Sequence, residues 1–337
     1  MTASTGARVR TARREIAEMR GRARRKSAVI LGRMLMPPLM LVAVLCFAVF
    51  LSPRAARYAY GGMLLAAKGV LPSAFVGMLI CDLYRAYGRP ERMRAAGWMF
   101  SLLYGMPREG LRAVILGNLC GFPMGAREVM SCLDAGGLTE DEAERLIPLT
   151  MNPSPPFIVG AVGAAMLGDV KEGIALLLAV ELSAVAVGVL FRKRRVKSRN
   201  TPVIIGQIKG EKYSFVRSVR SAAEGLVTVS GFIIAFSVLL GFLSEIAVFT
   251  PVRAIVFSLT EVTGGVKYFS GLTGISPLLR GCAVAFTLGF GGLSVMLQGA
   301  ALTNGRLSMR RYLPVKLAQG VISALLYSLL RARILGV

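Results

Sequence analysis

The chain has 337 residues, of which 54% are hydrophobic and 18% charged, with a formal net charge of +23. A soluble domain normally carries about 25% charged residues, so the composition points away from a soluble fold and toward an all-α polytopic membrane protein. The positive excess is not a nucleic-acid surface, because it lies in juxtamembrane clusters with neither interleaved aromatics nor a folded basic face.

Taken from the start, residues 1–29 read as a basic arm carrying Arg8, Arg10, Arg13, Arg14, Arg20, Arg22, Arg24, Arg25 and Lys26. Lys and Arg mark the cytoplasmic side of a membrane and attract anionic lipid headgroups, which predicts a cytoplasmic N-terminus. Residues 30–96 are read as N-terminal spans. Ile30–Leu51 contains Pro37 and Pro38 and is too long for the apolar region of a signal peptide. Gly61–Tyr84 crosses back, toward Arg85, Arg89, Arg92 and Arg94.

Residues 97–191 form the first of two predicted repeats. Pro107, Gly110, Gly117, Gly121, Pro123 and Gly125 interrupt its helices. Glycine costs a helix about 1 kcal/mol and proline about 3 relative to alanine. Backbone freed in this way cannot face lipid, so it is buried in protein or lines a wet cavity. An acidic stretch, Glu140, Asp141, Glu142 and Glu144, precedes Met151-Asn152-Pro153-Ser154-Pro155-Pro156. Three prolines in four residues exclude a regular helix interior. We expect an extended turn, either a re-entrant tip or an external loop, with a helix opening at Phe157 and aiming free amides into a cavity. The span Ile174–Phe191 follows and carries Glu181.

Residues 192–222 are a basic cytoplasmic linker with Arg192, Lys193, Arg194, Arg195, Lys197 and Arg199. The second repeat, 223–337, contains the spans Gly225–Ile246, Gly281–Ala301 and Val315–Leu330. The side of the membrane on which the C-terminus lies stays open. In total the chain is read as about seven full spans plus re-entrant segments, on the rule of roughly 20 residues per crossing.

Cys120-Gly121-Phe122-Pro123-Met124-Gly125 aligns with Leu288-Gly289-Phe290-Gly291-Gly292-Leu293, Arg112 with Arg280, and Gly136–Thr139 with Gly305–Ser308. The first copy continues into acids, the second into Arg306, Arg310, Arg311 and Lys316. Opposite charge in equivalent loops predicts copies inserted upside down, an arrangement usual in secondary transporters.

Candidate ligand-binding residues are Asn152, Ser154, Glu261, Thr263, Gly289, Gly291, Ser294 and Gln298. Gly121, Pro123, Gly125, Pro153, Pro155, Gly264 and Gly265 are candidate hinges. Glu261 lies six residues before Lys267 in an apolar stretch, where ionisable groups are expensive; it either binds a solute or forms a structural pair with Lys267 or an arginine. Ser294 and Gln298 share a helix face and serve as ligand groups or as interhelical glue. No metal site is expected, since histidine is absent and the five cysteines lack ligand spacing. No cofactor and no enzymatic activity are expected either, because no nucleophile–base pair is visible.

Gly121–Ala126, Asn152–Pro155 with Phe157, Glu261–Gly265 and Gly289–Val295, in this order, resemble the YlbJ-type sporulation integral membrane proteins built from nucleoside-recognition (gate) domains. The resemblance covers about residues 61–330 and departs at Met296, where a histidine or similar polar residue is expected. It implies two inverted-topology gate repeats in a bacterial cytoplasmic membrane. The inverted repeat and broken helices predict a transporter-like protein moving a small polar or anionic solute by alternating access, nucleoside-like at best, by analogy with the domain label. The alternative is a non-transporting scaffold in spore-envelope assembly. The partners expected are membrane lipids, a small solute with a coupling ion, and a second copy or sporulation membrane proteins; nucleic acid is not among them.

Overall fold

The computed structural model describes residues 52–87, 94–192, 214–245 and 250–335. The basic arm, the predicted span Ile30–Leu51 and most of the basic linker lie outside the described residues. The chain divides into a small unit ending at Ala56 and a large one, Arg57–Val337, and the architecture below is that of the large unit. No strand is present among the described residues.

Helix α1 (Pro53–Leu65) continues through a π-helical turn, Ala66–Val70, into α2 (Leu71–Tyr87). The limbs of this predicted second span meet at 48°. After α3 (Arg94–Tyr104), helices α4 (Gly110–Cys120) and α5 (Met124–Asp134) form an antiparallel hairpin. The reversal is made by Gly121, with φ 80°, and a cis Phe122–Pro123 peptide. Arg112 on one limb holds Glu128 on the other at 2.7 Å in a buried ion pair. Gly117 faces Gly125, and a Cβ at either position would collide with the carbonyl of Thr150 on α6 (Glu140–Thr150). Three helices therefore meet where neither limb of the hairpin can carry a side chain.

The acidic stretch starts α6. Thr139 and Glu142 make a reciprocal capping box, and acids in the first turn favour the positive end of the helix dipole. The chain breaks at 151–154 and resumes as the π-helix α7 (Phe157–Leu167). Asp169 then caps α8 (Val170–Leu190) through the Lys171 amide at 2.8 Å. A Cβ on Gly173 would lie 3.0 Å from the Gly163 Cα, so α8 runs back tightly against α7.

A further set of helices follows in the second half. After α9 (Phe215–Glu245), helices α10 (Thr250–Thr260) and α11 (Val262–Ser270) form a second hairpin. Phe257 and Tyr268 stack across it with ring centres 4.7 Å apart. Helix α12 (Pro277–Phe290) starts on a Ser276 cap and breaks at Gly291 and Gly292, whose φ values are 83° and 82°. It resumes as α13 (Gly292–Leu302), and a 3-10 turn, Met309–Arg311, leads into α14 (Tyr312–Leu335). Helix α14 packs against α12 and α8, with Gly289 against Ser323 and Gly281 against Tyr327.

Two sequence expectations are corrected here. The acidic and basic loops meet instead of lying on opposite sides. Arg306 binds Asp134 at 2.6 Å, Arg311 binds Asp141 at 2.5 Å, and the Ser308 amide donates to Glu144 at 2.8 Å. The predicted alignment also pairs unlike parts, since Gly121–Gly125 turns a hairpin whereas Gly289–Leu293 interrupts a long helix. As to span number, Val170–Leu190, Phe215–Glu245, Pro277–Leu302 and Met309–Ile334 are long and apolar enough to cross a membrane, with a fifth if the bent α1–α2 pair is one span. About seven is not reached among the described residues.

Candidate functional site

Four interruptions of the helices come together in two pairs. The first hairpin tip meets the first broken helix: the Phe122 amide donates to the Asn152 carbonyl at 3.0 Å, and a Cβ on Gly121 would lie 2.8 Å from the Ser154 nitrogen. The second tip meets the second broken helix in the same manner, since a Cβ on Gly292 would lie 3.1 Å from the Glu261 nitrogen. Only glycine permits these approaches and the positive φ values that accompany them.

Lys316, one turn into α14, lies between the two breaks. Its side chain is wholly buried. Its ammonium donates to the Met151 carbonyl at 3.0 Å, to Asn152 Oδ1 at 2.8 Å and to Gln319 Oε1 at 2.8 Å. On its other side, Cε is 3.8 Å from where a Gly291 Cβ would stand. Asn152 is the hub of this network. Its Oδ1 also accepts from Gln319 Nε2 at 2.8 Å, while its Nδ2 donates to Asn118 Oδ1 at 2.7 Å and to the Leu149 carbonyl at 3.1 Å. Because an ammonium only donates, Lys316 fixes which way the Asn152 amide points.

The local reason for the network is the break itself. Helix α6 ends at Met151, leaving carbonyls without intrahelical partners at the negative end of its dipole. In a membrane interior these groups need donors, and a lysine supplies three with compensating charge. Glu181 lies on α8, which packs against α14. One of its oxygens is buried without a hydrogen bond.

Of the residues singled out from sequence, Asn152 is in this network and Ser154 stands at the first pair of breaks. Glu261 does something else. It caps α11, accepting from the Thr263 amide at 3.0 Å and the Gly264 amide at 2.5 Å. Lys267 is exposed, so the expected Glu261–Lys267 pair does not form. Thr263 is buried under that cap. Gly265 lets α11 approach α10 and α12, a Cβ there meeting the Phe257 carbonyl oxygen at 3.0 Å and Thr287 at 2.9 Å. Gly289 serves helix packing, a Cβ there meeting Ser323 at 2.9 Å. Gln298 donates to Ser294 at 3.3 Å within α13 and keeps one buried oxygen without a partner. Neither Glu261 nor the Ser294–Gln298 pair bonds to the Asn152 network among the described residues.

Sequence reasoning missed Lys316, Gln319 and Asn118. Lys316 had been counted with the basic loop before it. The available signal was a lysine and a glutamine three apart, inside the apolar run Val315–Leu330, where polar side chains are costly.

The chain is 29% identical to the sporulation integral membrane protein YlbJ of Bacillus subtilis (strain 168), over 68% of this chain and 65% of that protein's length. The chain is similar to YlbJ over that stretch. The match therefore spans a little less than two thirds of the relative it aligns with. No family model and no solved structure matches the chain.

Proposed function

We propose that this YlbJ-type protein is transporter-like, binding a small polar or anionic solute and moving it by alternating access around the level of the breaks. The observation that carries this reading is the buried Lys316–Asn152–Gln319–Asn118 network at interrupted membrane helices. Discontinuous helices in corresponding places of two halves are the usual setting of a transporter site. In this reading α4–α8 and α10–α14 are two inverted repeats, each a hairpin, a broken span and a full span. The register differs from the one read in the sequence: the Gly121–Pro123 tip corresponds to Glu261, and the Asn152–Ser154 break to Gly291–Gly292. The end bearing Arg192, Arg306 and Arg311 is cytoplasmic. A role in sporulation, in the bacterial cytoplasmic membrane, is the natural setting by homology.

The test is thermal unfolding of the purified full-length protein against nucleosides and small organic anions. A solute at about 100 times its dissociation constant stabilises by about 2.7 kcal/mol. A shift abolished by Gln319→Ala but retained in Glu261→Ala supports the site as drawn. A flat panel on well-folded protein favours the second reading, a scaffold in spore-envelope assembly. That reading draws on the same network, whose amides and ammonium already satisfy one another.

A further inference from the structure

We propose that the ammonium of Lys316 is a tethered cation occupying a small monovalent-cation locus at the break of α6 and α7, so that the protein needs no sodium ion there and gains a sodium site when the lysine is removed. The inference concerns the site of the transporter reading, but its test requires no solute and no transport.

The argument starts from the chemistry of the three acceptors. They are one backbone carbonyl at a helix break, Met151, and two amide oxygens, Asn152 Oδ1 and Gln319 Oε1, all within 2.8–3.0 Å of one point. Neutral oxygens of this kind, gathered at the negative end of a half-helix, are the ligands that hold sodium in broken-helix transporters. Their surroundings are bonded without the lysine. The Met151 amide donates to the Ile147 carbonyl and the next carbonyl, that of Asn152, accepts from the Phe122 amide; the Asn152 side-chain amide donates to Asn118 and the Leu149 carbonyl, and Gln319 Nε2 donates to the Asn152 oxygen. The oxygens thus converge by the fold's own bonding, and the ammonium fills a position already built.

A merely structural lysine would be expected to pair with a carboxylate, since a buried charge is costly without one. Lys316 hydrogen-bonds to neutral oxygens alone, and Glu181 does not touch it among the described residues. Removing the side chain would leave three convergent oxygens and the space that it filled, bounded by Gly291 on the far side. That combination attracts a small cation.

The experiment measures thermal unfolding of full-length wild type and Lys316→Ala in sodium, lithium, potassium and choline chlorides at constant ionic strength. The wild type is expected to be indifferent to the cation, and Lys316→Ala to be stabilised by sodium or lithium over choline by about 5 °C. Stabilisation of the wild type by sodium would overturn the proposal, and so would a folded Lys316→Ala blind to all cations. Should Lys316→Ala fold poorly, recovery of folded protein by sodium but not choline during extraction supports the proposal, and failure in both overturns it. The double variant Lys316→Ala/Asn152→Ala separates a site ion from a general salt effect, because the sodium response must vanish there.

Discussion

Asn152 carries more of the buried polar bonding than any other side chain described in the network, and the consequences of changing it follow from counting. Asn152→Ala removes the acceptor shared by Lys316 and Gln319 and leaves Asn118 without its donor. Each buried polar group left unsatisfied costs about 1–3 kcal/mol, so a large fall in the thermal midpoint is expected. Glu261→Ala, in contrast, removes a helix cap, which typically costs about 0.5–2 kcal/mol. It should lower stability modestly and leave any solute response unchanged. Loss of the solute response in Glu261→Ala, measured by the same unfolding assay, would restore Glu261 to the binding site and undo the present assignment.

At the scale of elements, the decisive contacts are made where side chains are missing. Gly117 and Gly125 on the first hairpin both lie against the Thr150 carbonyl, and neither has room for a methyl group. Overpacking usually costs about 1–3 kcal/mol even where side chains can yield. Here the obstacle is backbone, so Gly125→Ala is expected to give no folded protein in a detergent-solubilised size-exclusion assay. Gly160 on α7 has open space around its Cβ position. Gly160→Ala is therefore the control, expected to be neutral or slightly stabilising because alanine favours helix. A folded Gly125→Ala would mean that α4, α5 and α6 do not meet as described.

For the large unit as a whole, the two ends are closed by different clasps. One joins Asp134, Asp141 and Glu144 to Arg306, Arg311 and the Ser308 amide. The other joins Glu172 on α8 to Tyr327 and Arg331 on α14. The pairs of the first clasp are exposed, and exposed ion pairs contribute only about 0.2–1 kcal/mol each, weak enough to open and reclose. Asp134→Cys with Arg306→Cys should cross-link readily under a mild oxidant, and both positions should label from one side of the membrane. Labelling from opposite sides would revive the arrangement inferred from the charge reversal. Alternating access further predicts that a cross-linked clasp abolishes transport while leaving solute binding intact, a separation that uptake and thermal-shift measurements together would reveal.

The sequence by itself determined that this is an all-helical membrane protein with interrupted helices, because composition and the positions of glycine and proline act locally. It also located Asn152–Pro155, Gly121–Pro123 and Gly291–Gly292 as breaks, and the similarity to YlbJ bears out the YlbJ-type part of the resemblance read from those motifs. It did not reveal which breaks meet. Gly121-Phe122-Pro123 and Gly289-Phe290-Gly291 look alike as strings, yet one turns a hairpin and the other interrupts a long helix, because the partner each glycine approaches is distant in the chain. Charge misled for the same reason. Acidic and basic loops read locally as opposite sides of a membrane, whereas in space they attract and close one end. Lys316 is the clearest case: five residues after a basic turn it passes for a surface charge, and only its position opposite Met151 and Asn152, some 165 residues earlier, makes it part of the buried network. Long-range packing, which a local pattern does not encode, decided that.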